Sequence, residues 1–391
     1  MPHVVIAPDS YKGSASAREV ARALGEGLSS ALPGARLTRS PMADGGEGTL
    51  DCVAASIPGR MAHTRVRAIH GHDIDARWYR SHDNRGFIES AEVLGLPLMA
   101  HDNARTPLGA RGSAALGALI RGVLDAGIHE LFIGLGGSAC NDAGLGLLIA
   151  LGATAADRRG TAVAPTMAGL LTLDALDLCD LDPRLAHTPI HVLCDVDNPL
   201  LGARGASRVY GPQKGLSATD IEAVEAAFAR LADLASAQTL AQAASSGAAG
   251  GLGFALARIG GRLRPGANTL IEMAGLRRVF ADADLIITGE GRSDSQTLSG
   301  KLPLAIAKAG APTPTMLVSG SITHDARAAL ADIFVSCRCL TDKAGDARAA
   351  MHEPLRWLRA IGRDIGLEWQ SETAPCYGSS TRAAPQARND R

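Results

Sequence analysis

The chain has 391 residues, seven cysteines, a formal net charge of -1 and only 3% aromatic residues. A chain of this length forms about two domains of ordinary size. The near-zero charge and the scarcity of aromatic rings argue against partnership with nucleic acid or an anionic membrane. No uncharged run approaches the roughly 18 apolar residues of a membrane span, and the N-terminus lacks the pattern of a signal peptide. We therefore expect a cytoplasmic protein with free thiols.

Strands and helices alternate at the start of the chain. An apolar strand at residues 4–7 precedes a helix at 17–32, in which Ser16 and Glu19 have the spacing of a capping box. A second strand at 35–40 precedes a second helix. This βαβα order predicts parallel strands joined by right-handed crossovers.

The pattern changes in the middle of the chain, where short alternating segments predict antiparallel strands and a mixed sheet. From residue 284 the βα alternation resumes, with predicted strands at 285–288, 315–319 and 333–336. Two units at the start and three at the end predict an α/β fold with a flavodoxin-like parallel sheet of strand order 2-1-3-4-5. We assign residues 1–61 and 283–370 to this discontinuous domain, 62–282 to a large inserted mixed α/β domain and 371–391 to a disordered tail.

Ligands of open α/β sheets bind beyond the carboxyl ends of the strands, at the point where the strand order reverses. In the predicted order this point lies between the first strand and the strand at 285–288. The loop after the first strand carries Asp9, Ser10, Lys12 and Ser14. The loop after the second carries Glu290, Arg292 and Asp294, and leads to Lys301 at a helix N-terminus. Free N–H groups and the positive end of the helix dipole would favour an anion there.

This combination is typical of phosphoryl transfer, which depends on charge stabilisation and positioning. Lysines suit phosphate oxygens, and carboxylates suit Mg²⁺ or a base that accepts the hydroxyl proton. No GxxxxGK[ST] sequence follows a strand, so the chain is not a P-loop enzyme. Asp195 and Asp197 also have a structural interpretation, because aspartates before Asn198-Pro199 commonly cap a turn.

A series of glycine-rich and acidic segments runs in order along residues 2–333. They are IAPDSYKGSASAREV, PMADGGEGT, IGLGGSACNDAGLG, CDVDNPLLGARGAS, VYGPQKG, GAAGGLG and ITGEGRSDSQTLSGK. Together they resemble the signature segments of the bacterial-type glycerate kinases. The resemblance implies a two-domain kinase that uses ATP and Mg²⁺ to phosphorylate D-glycerate, usually to 2-phosphoglycerate. Tyr11 stands where phenylalanine is common in the family and Ser299 where histidine is common.

From the residues and this resemblance we predict ATP and Mg²⁺ as cofactors and glycerate as the substrate. The candidate catalytic residues are Lys12, Asp44, Asp195 and Glu290. The candidate residues for binding substrate or phosphate are Ser10, Gly45, Gly46, Gly137, Ser138, Asn141, Arg292 and Lys301. The candidate Mg²⁺ ligands are Asp195, Asp197 and Asp294.

Two questions stay open at this point. Arg292 has the fork geometry that matches the carboxylate of glycerate, but it could bind ATP phosphates instead. The substrate could be another small hydroxy acid, such as tartronate or an aldonate, or the chain could be a non-catalytic sensor of sugar acids. The sequence also permits a homodimer.

Overall fold

The structure, a computed structural model, describes residues 1–100 and 106–373. Its strands in chain order are β1 (His3–Ile6), β2 (Arg36–Arg39), β3 (Gly59–Arg67), β4 (Asp73–Ser81), β5 (Arg85–Glu89), β6 (Glu130–Gly134), β7 (Thr154–Ala156), β8 (Ala175–Asp177), β9 (Ile190–Leu193), β10 (Arg262–Arg264), β11 (Leu285–Thr288), β12 (Arg292–Ser293), β13 (Thr315–Ser319), β14 (Ser321–Ile322) and β15 (Ser336–Cys339).

The α-helices in chain order are α1 (Ala17–Ala31), α2 (Thr49–Ser56), α3 (Ala91–Leu94), α4 (Leu96–Ala100), α5 (Ala114–Asp125), α6 (Leu145–Ala150), α7 (Met167–Thr172), α8 (Ala206–Lys214), α9 (Ala218–Leu234), α10 (Gln238–Ala241), α11 (Ala248–Arg258), α12 (Gly266–Met273), α13 (Leu276–Ala281), α14 (Leu302–Gly310), α15 (Arg327–Ala331), α16 (Leu340–Ala344), α17 (Ala347–His352) and α18 (Pro354–Thr373). Short 3₁₀ helices lie at Leu108–Ala110, Pro183–Ala186 and Thr297–Ser299.

The first sheet has the order β15-β13-β11-β1-β2, and all of its strand pairs are parallel. This is the predicted 2-1-3-4-5 order, so the flavodoxin-like fold class is confirmed. Strand β1 lies in the middle, with Val4 opposite both Leu285 of β11 and Leu37 of β2. Every residue of β1 is buried, as expected for a parallel strand covered on both faces.

The second sheet has the order β10-β9-β6-β5-β4-β3. Its pairs from β10 to β5 are parallel, and β4 pairs antiparallel with both β5 and β3. The predicted mixed sheet is therefore confirmed. All of its strands lie between residues 59 and 264, whereas those of the first sheet come from both ends of the chain. The predicted domain boundaries at residues 61/62 and 282/283 stay a prediction.

Alternating residues of β1 belong to different cores, because successive side chains of a strand point to opposite faces. Val4 and Ile6 pack in a cluster with residues of α1 and α18. Val5 packs in another cluster, which also contains Phe87 and Phe132 of the second sheet. This shared cluster couples the two sheets and fixes how their loops face each other.

Two predictions at the C-terminal end need correction. The fifth strand begins at Ser336, three residues later than the first residue of the strand predicted at 333–336, and Val335 is exposed. Helix α18 extends to Thr373, beyond the predicted start of the tail at Ser371. Residues 374–391 of the predicted tail lie outside the described residues.

The capping box of α1 is confirmed, because the Ser16 hydroxyl accepts from the N–H of Glu19 while the Glu19 carboxylate accepts from the N–H of Ser16. In the ranges 1–100 and 106–373, none of the helices is both long enough and apolar enough to cross a membrane.

Helices α1 and α18 approach closely at Gly27, where an added Cβ would overlap the carbonyl oxygen of Arg359. We expect Gly27→Ala to lower the free energy of unfolding by about 1 to 2 kcal/mol, since overpacking outweighs the gain in helix propensity. Urea denaturation followed by circular dichroism measures this change. Gly34→Ala is the control, because a Cβ there meets open space. Equal stability of the two variants would contradict this packing argument.

Candidate active site

A cavity of about 470 Å³ lies at the carboxyl ends of the strands of the first sheet. The segments after β2, β1 and β11 supply its charged and polar lining, which includes the predicted residues Ser10, Lys12, Asp44, Glu290, Arg292, Asp294 and Lys301. The segment after β15, at the opposite edge of the sheet, supplies an apolar lining of Leu340, Ala347, Ala350 and Met351. We call this space the first cavity. It has a charged end and an apolar end.

Glu290 is held firmly at the charged end. Its side chain is buried, and its Oε1 accepts hydrogen bonds from the Thr297 hydroxyl at 2.6 Å and the Ser293 hydroxyl at 3.0 Å. Its Oε2 lies 3.8 Å from the Lys301 ammonium. Burial raises the pKa of this carboxyl, while the two hydroxyls and Lys301 oppose that shift. The hydrogen bonds leave Oε2 as the oxygen available to a ligand or cation.

Asp294, Lys301 and Arg292 form a chain of alternating charges beside Glu290. The Lys301 ammonium lies 3.8 Å from Oδ1 of Asp294, and Nε of Arg292 lies 3.9 Å from Oδ2 of the same residue. The Arg292 side chain is 72% exposed. Both cations are therefore loosely paired and can move to meet an anionic ligand.

A second cavity of about 540 Å³ adjoins the first and shares Ser10, Tyr11, Lys12 and Ser14 with it. Its other walls come from the N-terminal turns of α1 and α2, from the second sheet and from the loops and short helices beside that sheet. They include Arg77, Glu89 and the predicted residue Gly137. Lys12 is exposed and lines both spaces. The loop after β1 therefore separates one cavity from the other.

The structure does not bring Asp195 and Asp197 to the first cavity. Both carboxylate oxygens of Asp195 accept backbone N–H groups at the start of α12, from Gly266 at 2.7 Å and Ala267 at 3.0 Å. Burial, with a contribution from Asp44, raises the pKa of Asp195 to about 7. Asp197 is exposed and forms an ion pair of 2.6 Å with Arg204. The structural alternative given above thus has support, although Asp195 caps a helix instead of the turn at Asn198.

Gly45 and Gly46 also lie outside both cavities. They are buried where the loop after β2 meets the second sheet. A Cβ on Gly136 would overlap the backbone of Gly46, and a Cβ on Gly134 would overlap the carbonyl oxygen of Gly45. The absence of side chains therefore allows the two loops to touch through their backbones.

Ser138 and Asn141 belong to a buried polar network. The ammonium of Lys214, which is only 6% exposed, donates to the Cys140 carbonyl oxygen at 2.6 Å and to the Ser138 hydroxyl at 3.3 Å. Asn141 donates to the Ser207 hydroxyl at 3.3 Å. Burial lowers the pKa of Lys214. This network fixes the loop that follows β6.

Comparison with known proteins identifies the family. The sequence profile of the glycerate kinase family matches residues 4–370. The chain belongs to this family. It is 38% identical to "Glycerate kinase" of Bacillus subtilis (strain 168), over 93% of this chain and 96% of the relative. It is 40% identical to "Glycerate 2-kinase" of Escherichia coli (strain K12), over 82% and 86% of the two chains.

A solved structure gives the same result for the fold. A protein of Salmonella typhimurium LT2, assigned as glycerate kinase 2, superposes with a TM-score of 0.78 at 37% sequence identity. The match covers 95% of this chain and 99% of the Salmonella chain. The fold is thus shared with this Salmonella protein over 95% of the chain.

Three residues of the site received no role from the sequence. The sequence places Asp9 in the loop after the first strand and Lys214 in the segment VYGPQKG, and it gives no functional signal for Glu89. The position of Asp9, three residues after a buried strand, is a usable signal. Nothing in the local pattern marked Lys214 or Glu89, because their partners come from distant segments.

Glu89 connects the second sheet to α2. Its side chain is 5% exposed, and its Oε2 accepts from the N–H groups of Gly48 at 3.1 Å and Leu50 at 3.3 Å. Desolvation raises the pKa of Glu89 from 4.5 to about 7, although both N–H groups favour the charged form. The carboxyl is therefore more easily protonated in the folded chain than in the unfolded chain.

This shift predicts a pH-dependent stability. A carboxyl whose pKa rises on folding contributes stability fully below its unfolded pKa of 4.5 and loses that contribution as pH rises through about 7. Gln at position 89 retains an oxygen acceptor but does not titrate. We expect the free energy of unfolding of wild type, minus that of Glu89→Gln, to fall by about 2 to 3 kcal/mol between about pH 5 and pH 8.

Urea denaturation of both proteins at the two pH values measures this difference. Glu272→Gln, which changes an exposed glutamate, is the control and should give a flat difference. A flat difference for Glu89→Gln as well would show that Glu89 titrates normally in the folded chain.

Proposed function

We propose that the chain is an ATP-dependent kinase that phosphorylates D-glycerate, at the 2-hydroxyl in preference to the 3-hydroxyl. The observation that carries this proposal is the first cavity, where two lysines and several carboxylates converge at the switch point of the parallel sheet. Membership of the glycerate kinase family supports the reaction. The name of the Escherichia coli relative, glycerate 2-kinase, supports the position of transfer.

The two ends of the first cavity suit the two parts of ATP. Lys12 and Lys301 provide positive charge for the phosphates, where charge stabilisation contributes most to phosphoryl transfer. Leu340, Ala350 and Met351 provide apolar contacts for the base. In this arrangement the γ-phosphate lies near the loop after β1, which borders both cavities.

Mg²⁺ fits this site as an ion shared between protein and nucleotide. Within the described ranges, no group of three or more His, Cys, Asp or Glu residues could hold a metal ion. Mg²⁺ commonly takes one or two carboxylates and completes its octahedron with phosphate oxygens and water. Asp294 lies in the cavity and would provide such an oxygen. The bound ion would neutralise charge on the phosphates, and Asp195 and Asp197 are less suitable ligands because their oxygens have other partners.

Glycerate requires one contact for its carboxylate and another for its reacting hydroxyl. Arg292 lies at the start of β12 with most of its side chain exposed, so its guanidinium can bind a carboxylate in a bidentate manner. Ser10 borders both cavities and can orient the hydroxyl. The carboxylates of Asp44 and Glu290 contribute to the electrostatic field around the transferred phosphoryl group. The Lys12 ammonium then stays in contact with the phosphoryl group while this group is transferred.

The predicted residues outside the cavities have a supporting role in this proposal. Gly45 and Gly46 bring the loops of the two sheets together, and Ser138 and Asn141 hold the loop after β6. Gly137, in the same loop, lines the second cavity. We further propose a cytoplasmic location, where ATP is available, and a homodimer, which light scattering would test.

A coupled assay of ADP release with D-glycerate, L-glycerate, tartronate and an aldonate tests this function. We expect D-glycerate to give the highest kcat/KM, loss of activity on complete chelation of Mg²⁺, and a ³¹P NMR signal of 2-phosphoglycerate. Faster turnover of tartronate or an aldonate would favour the alternative hydroxy-acid kinase. Glycerate binding without ADP release would favour the sensor.

The Lys12 assignment predicts a specific kinetic defect. We expect Lys12→Ala to lower kcat about 10²-fold or more, on the scale of losing one preorganised charge contact in the transition state. Lys308→Ala, which removes an exposed lysine near the C-terminal end of α14, is the control and should keep wild-type turnover. Near-normal kcat in Lys12→Ala would refute the role of Lys12.

A further inference from the structure

Asp9 is a buried carboxyl at the wall of the first cavity. It follows β1 by three residues, and its side chain is 7% exposed. Its backbone N–H donates to the Gly289 carbonyl oxygen at 2.8 Å, which ties it to the segment after β11. Its Oδ1 accepts from the N–H of Ser10 at 2.6 Å. In the part of the chain that the structure describes, Oδ2 accepts no hydrogen bond.

The next residue also carries an unpartnered polar atom. The hydroxyl oxygen of Ser10 is buried and has no hydrogen-bond partner within the described residues. Buried polar atoms in folded proteins usually have partners, so an exception requires a specific explanation. Asp9 and Ser10 thus present one free acceptor and one free hydroxyl on adjacent residues of the loop that borders both cavities.

The charges around Asp9 favour proton uptake. Asp44 and Glu290 repel the ionised carboxyl, and Lys12 attracts it. Burial is the largest cause of the raised pKa of Asp9, followed by Asp44. A carboxylate with a raised pKa accepts a proton more readily than an ordinary aspartate, which is the property that a general base requires.

We propose that Asp9 is the catalytic base that accepts the hydroxyl proton of glycerate, and that Ser10 positions this hydroxyl. The assignment rests on the proposed function. In the transfer step, the O–H bond of glycerate breaks and its proton passes to the Asp9 carboxylate. The hydroxyl oxygen forms the new O–P bond to the γ-phosphorus of ATP. The bond from that phosphorus to the β–γ bridging oxygen breaks, and ADP leaves with the electron pair.

The other carboxylates are less suitable for this step. Oε1 of Glu290 is occupied by two hydroxyl donors, and its Oε2 faces Lys301. Both oxygens of Asp195 accept backbone N–H groups. Asp44 accepts from the N–H of Gly46 at 2.9 Å and is less buried than Asp9. Among these four, Asp9 alone combines deep burial at the cavity with an oxygen that has neither a hydrogen-bond partner nor an ion-pair partner in the described residues.

The first experiment compares Asp9→Asn with wild type in the coupled assay with D-glycerate, ATP and Mg²⁺. We expect kcat to fall about 10²- to 10⁴-fold, which is the usual range for loss of a general base. The KM values for both substrates and the activation constant for Mg²⁺ should stay within about threefold of their wild-type values. Loss of a catalytic base lowers kcat, whereas a binding defect raises KM or the activation constant. Asp332→Asn, at an exposed aspartate outside both cavities, is the control.

The second experiment measures kcat/KM for glycerate against pH. The base must be ionised, so wild-type kcat/KM should fall as pH decreases through the raised pKa of Asp9. The Asp9→Asn variant should lose this acid limb. Asp44→Asn keeps Asp9 but removes its repelling neighbour, so the limb should move to lower pH. This shift is measurable even if Asp9→Asn fails to fold.

Three results would overturn the assignment of Asp9. The first is a kcat of Asp9→Asn within threefold of wild type, and the second is recovery of the activity of that variant by excess Mg²⁺. The third is an acid limb of kcat/KM that lies at the same pH in Asp44→Asn as in wild type. An active wild-type enzyme with any of these results refutes Asp9 as the base and leaves the proposed function intact. A wild-type chain that does not phosphorylate glycerate refutes both.

Discussion

Parallel pairing of β1 with β11 brings together two segments from opposite ends of the chain. Val4 lies opposite Leu285, and the backbone hydrogen bonds continue past the strands to the contact between Asp9 and Gly289. Strand ends that run in the same direction place their loops at the same edge of the sheet. The charged end of the first cavity depends on this pairing, because one loop supplies Lys12 and the other supplies Glu290 and Lys301.

Burial gives these groups their chemical character. Asp9, Glu290 and Glu89 are carboxyls removed from water, and in each case burial raises the pKa. Different contacts stabilise the ionised form of each carboxyl against this desolvation. They are hydroxyls and Lys301 at Glu290, backbone N–H groups of the α2 N-terminus at Glu89, and the N–H of Ser10 at Asp9. Asp9 has the fewest of these contacts, and it is the carboxylate that we propose accepts the hydroxyl proton.

The second sheet determines the shape of the site without contributing most of its charges. Phe87 and Phe132 share a core cluster with Val5, and Gly46 touches Gly136 through backbone atoms. Glu89 then links β5 to the start of α2. These contacts fix the distance across the second cavity, and Lys214 stiffens the loop after β6 from within.

The sequence alone predicted the strand order, the mixed character of the second sheet and the charged loops after β1 and β11. Hydrophobic periodicity and glycine-rich turns are local signals, and βα alternation limits the possible strand orders. Resemblance of its segments to a known family indicated the reaction. Only the tertiary structure decided which acids share the cavity: Asp195 caps α12, Asp197 pairs with Arg204, and Asp9 is buried between loops. The local sequence around each of these three aspartates does not distinguish their roles. Its role depends on partners and solvent exposure that arise only when distant segments pack together.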